Sequence, residues 1–218
     1  MIRQLLAVVL SFVLTGCIAM EAAASLPSGD TKNWKTYRVE VGDQVVQFTI
    51  PPEESSDFPS FEIPQRIDLA QAGIFNQAQI GPKLLNRYWD YRTSRFAAVN
   101  GTLHAYILLW RSEGLLDSVD ALRGAIEDNG KLLKMKELAD GGRGGPPDAV
   151  RFETATVGGR TGLLEIHQIT SPSYVVPVDP HHYLTISISV GVANPDWRAD
   201  AQGAADAILK SIRIEPKH

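Results

Sequence analysis

The only cluster of histidines in the chain is His181-His182, which follows Asp179 and could bind a metal or move a proton. Carboxylates and imidazoles are common zinc ligands. Adjacent residues of a strand point to opposite faces, so the two histidines could share one ion only if they lay in a loop. A long alternating strand follows them directly. We therefore expect the solvated start of that strand here, and neither a metal nor another cofactor.

No serine stands in a pattern typical of a nucleophile with its base. The sequence contains neither a G-x-S-x-G elbow nor an H-E-x-x-H zinc motif. The glycine-rich run at 141–145 lacks the Lys-Ser/Thr ending of a phosphate loop, and Pro146-Pro147 follows it in place of a helix start. The sequence therefore predicts a protein that is not an enzyme.

Cys17 is the only cysteine in the chain, and it ends the string Leu14-Thr15-Gly16-Cys17. The apolar run from Leu5 to Leu14 is too short to cross a bilayer but suits the core of a secretory signal. Here the chain resembles bacterial lipoprotein precursors, whose lipobox ends in the cysteine that becomes lipidated. The resemblance implies cleavage before Cys17, which then carries acyl chains. A plain cleaved signal and a signal anchor are the alternatives.

Charge and the residue after Cys17 bear on location and partners. The net charge is −4, without a basic patch for nucleic acid or anionic lipid. In enterobacterial lipoproteins an Asp after the cysteine favours the inner membrane, whereas Ile18 stands here. We expect a protein of the bacterial envelope that is lipid-anchored in the outer membrane and faces the periplasm.

Composition divides the chain into three segments. Residues 1–16 form the signal peptide, and residues 17–33 form the lipidated cysteine with a flexible tether of small and polar residues. Residues 34–218 are long enough for a single periplasmic domain with its own core.

Alternating apolar residues and tight turns predict a sheet built from hairpins. One hairpin turns at Gly42-Asp43 and another at Asn100-Gly101, which would pair Ala98 with Leu103. The alternation from Leu184 to Val192 predicts a long strand with one buried face.

A third hairpin is expected around Gly158-Gly159. A strict two-residue turn there would set Phe152 opposite Glu165 and mix the two faces. We therefore expect a bulge at Gly162 or a longer turn.

Two helices complete an α+β fold on an antiparallel sheet. Asp117 or Ser118 caps the first, which Asn129-Gly130 would stop, and residues 131–138 are open to helix or strand. The second begins with Asn194 as cap and Pro195 in the first position.

Three segments are predicted to be long loops, and we expect a partner protein to bind on them. They are residues 51–64, 139–149 and 171–182. Tyr174 is the expected anchor, because interface energy concentrates on aromatic and Arg side chains. The other candidate contacts are Glu53, Glu54, Asp57, Asp179, His181 and His182.

Two shorter stretches resemble known binding proteins. The opening hairpin YRVEVGDQVVQFTIPPE and the ending AADAILKSIRI look like the α+β domains of the PsbP and Mog1 type, which implies a binding or assembly module. The stretch TVGGRTGLLEIHQI, together with the export signal, is similar to periplasmic immunity proteins that neutralise type VI lipase effectors. The sequence therefore favours an envelope lipoprotein that binds a protein partner. An immunity protein, an envelope hydrolase and a small-ligand carrier are the alternatives.

Overall fold

The computed structural model describes residues 26–52, 55, 57–72, 81–93, 97–139, 151–167 and 171–218. Within these ranges the predicted α+β class is confirmed, with ten strands in two sheets and two main helices. The strands are β1 (Lys35–Val41), β2 (Gln44–Ile50), β3 (Arg66–Ile67), β4 (Lys83–Tyr91), β5 (Gly101–Arg111), β6 (Arg151–Val157), β7 (Arg160–Ile166), β8 (Ser173–Asp179), β9 (His182–Val192) and β10 (Arg213–Pro216). The helices are α1 (Val119–Ala139) and α2 (Pro195–Ser211), with a short 3-10 turn at Leu69–Gln71.

The small sheet has the order β10-β2-β1-β3, with β3 parallel to β1 and the other pairs antiparallel. Its first hairpin is confirmed in register, because Tyr37 lies opposite Phe48 and Val39 opposite Val46. Gly42 takes a φ of 58°, which a glycine adopts without strain in a two-residue turn.

The large sheet is antiparallel throughout and has the order β4-β5-β9-β8-β7-β6. The long strand predicted from Leu184 to Val192 is confirmed as most of β9. It pairs with β5 along its whole length, from His182 opposite Arg111 to Val192 opposite Gly101.

The two faces of the large sheet lie against different partners. One face shares the main core with the small sheet and α2, around residues such as Phe48, Leu103 and Ile208. On the other face α1 covers a second cluster that contains Trp110 and Tyr183. The large sheet is therefore a central layer.

Both helix starts agree with the sequence. Ser118 accepts a hydrogen bond from the Ala121 amide, and Asn194 accepts one from the Asp196 amide. The predicted end of α1 at Asn129-Gly130 is wrong, because α1 continues to Ala139. The Asn129 side chain donates a hydrogen bond to the Tyr183 hydroxyl. This tertiary contact favours helix at a place where glycine costs only about 1 kcal/mol.

The hairpin predicted at Asn100-Gly101 is also wrong. Gly101 lies opposite Tyr91, Leu103 lies opposite Trp89, and residues 92–100 connect the strands. A Cβ on Gly101 would lie 2.6 Å from Val192 Cα. The glycine thus serves the close approach of β5 to β9 and not a turn.

The β6–β7 connection is the strict two-residue turn that the sequence interpretation rejected. Gly158 and Gly159 both have positive φ, and Phe152 lies opposite Glu165. The expected bulge at Gly162 is therefore wrong. Phe152 nevertheless packs against the cluster under α1, which accounts for an aromatic residue on this mixed face.

The predicted loop 171–182 is wrong as well, because most of it forms β8 and a tight turn into β9. Pro177 is tolerated since the pairing of β8 with β7 runs only from Ser173 to Val175. The predicted loop at 139–149 lies outside the described residues except for Ala139, which ends α1.

The described chain begins inside the segment predicted as a tether. Leu26 packs against the main core, and the Tyr91 hydroxyl donates a hydrogen bond to the Pro27 carbonyl oxygen at 2.7 Å. The packed part of the protein therefore reaches at least to Leu26. Neither helix in the described ranges combines the length and the apolar content needed to cross a membrane.

Candidate functional site

A row of mostly polar residues crosses the large sheet on the face that α1 partly covers. Directly opposite positions on neighbouring strands place them side by side. The row consists of Asn86 (β4), Tyr106 (β5), Ser187 (β9), Ser173 (β8) and Glu165 (β7). Ser187 and Ser173 are buried, whereas the other three are half-buried. The two serines are thus the least exposed residues of the row.

The row divides this face into two halves. On one side lie Leu163, Val175 and Trp110, which the first turns of α1 cover. On the other side the next register positions hold Ser189, His104 and Tyr88. The first turns of α1 therefore cover the apolar half.

Three rings stack in the polar half, and the ring of Tyr106 in the row lies tilted beside them. The Tyr88 and His104 rings are nearly parallel, with centroids 3.9 Å apart and an interplanar angle of 3°. Phe58 stacks on the other side of Tyr88 at 4.0 Å, and Tyr106 lies 5.3 Å from His104. We call Phe58, Tyr88, His104 and Tyr106 the aromatic stack. The contact between His104 and Tyr106 lies within the distance range of about 4.5–7 Å that attractive ring pairs prefer, and the two stacked contacts are shorter.

The His104 ring is uncharged at neutral pH. Burial, together with the positive charge of Lys83 as the smaller cause, lowers the pKa of His104 to about 4. Nε2 lies 3.0 Å from Asn86 Oδ1. Because an amide oxygen only accepts hydrogen bonds, the proton of the neutral ring resides on Nε2. The aromatic stack is therefore uncharged, and its His104 ring has one tautomer, with the proton on Nε2.

The opposite end of the row carries an acid with a shifted pKa. Burial raises the pKa of the Glu165 carboxyl, although the nearby His167 acts in the other direction. His167 Nε2 lies 3.3 Å from Glu165 Oε1. One titratable group with a shifted pKa, Glu165, thus ends the polar row, and another, His104, lies beside its other end at Asn86. Shifted pKa values occur often at functional sites.

The aromatic stack belongs to neither core. Among the described residues, none of its four members is part of the main core or of the cluster under α1. Phe58 is exposed at 39 %, whereas Tyr88, His104 and Tyr106 are half-buried. Phe58 is therefore the ring of the stack that a partner can reach most directly.

The sequence-predicted site residues at the β8–β9 turn are brought together by that turn. Asp179 Oδ1 accepts hydrogen bonds from the amides of His181 and His182, and His182 Nδ1 lies 2.9 Å from both carboxylate oxygens. His181 is exposed, whereas His182 is half-buried. Asp179 therefore orders the turn. Tyr174 lies elsewhere, in β8, where its half-buried ring packs against the main core.

The acidic stretch lies beside the aromatic stack. Asp57 is exposed and forms an ion pair with Arg92 at 3.3 Å. The Ser55 amide donates to the Tyr88 carbonyl oxygen, so this segment follows the edge of β4. Glu53, Glu54 and the predicted lipidation site Cys17 lie outside the described residues.

In the described ranges, no group of three or more His, Cys, Asp or Glu side chains could hold a metal ion. The sequence interpretation missed the aromatic stack. The sequence pattern that could have revealed the stack is the alternation of Asn86, Tyr88 and Asp90 on β4 and of His104 and Tyr106 on β5. Only the correct register of the two strands places these residues side by side.

Comparison of the chain with known protein families, with curated proteins and with solved structures finds no match.

Proposed function

We propose that the protein is an exported, lipid-anchored binding protein of the bacterial envelope, and that its domain holds a partner protein through the aromatic stack. The lipobox ending in Cys17 supports the anchor. The observation that carries the binding role is the stack itself, because among the described residues its four rings belong to neither core and its end member Phe58 is exposed. The predicted loop 171–182 is replaced as the binding surface.

Aromatic side chains favour a protein partner. Interfaces concentrate their energy on a few aromatic or Arg residues, surrounded by polar groups that exclude water. Phe58 supplies an exposed ring next to Tyr88. Asn86 and Ser189 supply neighbouring polar groups on the same face of the sheet.

Charge narrows the class of partner to one with a basic surface. The stretch 51–64 contains Glu53, Glu54, Asp57 and Glu62 and no Lys or Arg. Phe58 of the stack lies between the exposed residues Asp57 and Glu62 in sequence, and the ion pair of Asp57 with Arg92 leaves Glu62 as the stronger attraction for a basic surface. Complementary charge mainly raises the association rate, so binding should weaken as salt increases.

Photo-cross-linking in cells tests this proposal. A photo-reactive phenylalanine analogue replaces Phe58 in the full-length protein, and a second strain carries it at Leu115. Leu115 is a matched control, because it is also apolar and exposed, at 58 %, but precedes α1 at the other end of β5.

Irradiation should give one discrete cross-linked protein from position 58 and none from position 115. The same product from both positions, or none from position 58, would refute binding through the stack.

A further inference from the structure

A cavity of about 420 Å³ lies where the turns of the two sheets meet. Its walls come from the β1–β2 turn, the 3-10 turn, the start of β7 and the β8–β9 turn. The volume is typical of sites for small molecules. Leu69, Val178 and Pro180 form its apolar part, and Asp43, Gln44, Arg160 and Asp179 form its polar part.

Arg160 is held in place from both sheets. The two-residue turn at Gly158-Gly159 fixes the start of β7, so that Arg160 lies opposite Val157. Its Nη2 donates a hydrogen bond to Gln44 Oε1 at 2.7 Å. The guanidinium is therefore positioned before any ligand arrives.

The half-buried Arg160 has no carboxylate partner among the described residues. Its one hydrogen bond goes to the neutral amide of Gln44. A guanidinium has five N–H donors in a planar fork that fits a carboxylate. The side chain thus retains donors for an anionic group in the cavity.

Two acidic residues disfavour a strongly anionic ligand. Asp43 from the β1–β2 turn and Asp179 from the end of β8 both line the cavity, and their carboxylates would repel a phosphate dianion. A ligand that carries one carboxylate and one ammonium group instead satisfies both signs of charge. The apolar wall then accepts its side chain.

We propose that this cavity binds a small amino-carboxylate, with the ligand carboxylate on Arg160 and the ligand ammonium towards Asp43, since the Asp179 carboxylate is held by His181 and His182. The occupant is the size of a free amino acid or a dipeptide. This site is separate from the aromatic stack and does not rest on the proposed partner binding.

Three related probes separate the contributions of the ligand carboxylate and the ligand ammonium group to binding. L-Leucine carries both charges, N-acetyl-L-leucine carries only the carboxylate, and L-leucinamide carries only the ammonium. Calorimetric titration of the folded protein should show saturable binding of L-leucine at concentrations up to about 10 mM. Each of the other two probes should bind at least about tenfold more weakly, because each lacks one charge contact.

Arg160→Gln should abolish the binding of L-leucine, and Arg38→Gln is the matched control. Arg38 also donates from a guanidinium nitrogen to a glutamine Oε1, that of Gln47, at 2.8 Å, but it does not line the cavity. Thermal melting of both variants verifies that they are folded.

A second measurement does not depend on any variant. In the wild-type protein, L-leucine should shift the amide NMR signals of Gly159 and Thr161, which flank Arg160, and leave those of Arg38 unchanged. The proposal is overturned if L-leucine does not bind, if L-leucinamide binds equally well, or if Arg160→Gln binds as the wild type does.

Discussion

The hydroxyl of Tyr91 donates a hydrogen bond to the carbonyl oxygen of Pro27 and so joins the N-terminal segment to the end of β4. Burial raises the pKa of Tyr91, with the negative charge of Asp200 as a second cause, so the hydroxyl keeps its proton. The residues between Cys17 and Leu26 span at most about 30 Å when fully extended. A lipid on Cys17 would therefore hold this end of the sheet close to the membrane.

Replacement of the lipobox cysteine tests the anchor. Cys17→Ser removes the thiol that would be acylated, so labelled palmitate fed to cells should appear in the wild-type protein and be absent from the variant. Equal labelling of both proteins would contradict the lipoprotein interpretation.

The buried His104 should make stability depend on pH. The pKa of His104 is about 4 in the folded protein and about 6.5 in an unfolded chain. The unfolded state therefore binds more protons between these values, and the free energy of unfolding falls as pH decreases from 6.5 to 4. We expect a contribution on the order of 1 kcal/mol, because solvent screens the half-exposed ring.

Urea unfolding at about pH 7 and about pH 4.5 measures this effect. The loss of stability on acidification should be smaller in His104→Gln than in the wild type. His181→Gln is the control, since His181 is exposed on the β8–β9 turn. Identical pH dependence in the wild type and His104→Gln would show that His104 is not the cause.

Tyr174 should matter for folding. Its ring packs against the main core, so Tyr174→Ala should cost about 2 kcal/mol and lower the melting temperature by roughly 4–8 °C. Phe58→Ala is the control and should melt nearly as the wild type does, because Phe58 lies in neither core. A Tyr174→Ala protein with unchanged melting but weakened partner binding would restore Tyr174 as an interface anchor.

Two glycines in strands should respond in opposite ways to alanine. A Cβ on Gly162 would lie 2.1 Å from the Val175 carbonyl oxygen, whereas one on Gly191 would meet nothing closer than 3.7 Å. Gly162→Ala should therefore destabilise the protein by about 2–3 kcal/mol. Gly191→Ala should be neutral or stabilise it by up to about 1 kcal/mol. Denaturant titration measures the free energy of unfolding of both variants. Equal changes in the two variants would contradict the packing around Gly162.

Local patterns predicted those parts of the fold that depend on short-range chemistry. The first hairpin follows from Gly42-Asp43, and the start of α2 follows from Asn194 and Pro195. In each case neighbouring residues supply the turn or the cap. The structure adds little to the sequence there.

Tertiary contacts decided the parts that were wrong. The sequence predicts a turn at Gly101, but this glycine is needed where β5 approaches Val192. The sequence predicts a helix end at Asn129, but this side chain donates a hydrogen bond to the Tyr183 hydroxyl. Because the hairpin was predicted at Gly101, the residues expected opposite β5 were also wrong. The contact between Tyr88 and His104 could therefore not be predicted.

The central claim is that Phe58 and its stack form the contact with a partner protein. Calorimetry on the partner recovered by cross-linking, titrated with purified wild type, Phe58→Ala and Leu115→Ala, tests it most directly. Phe58→Ala should lose about 2 kcal/mol of binding free energy, roughly a thirtyfold weaker Kd, while Leu115→Ala should bind as the wild type does. Wild-type affinity in Phe58→Ala, with all three proteins equally folded, would contradict binding through the aromatic stack.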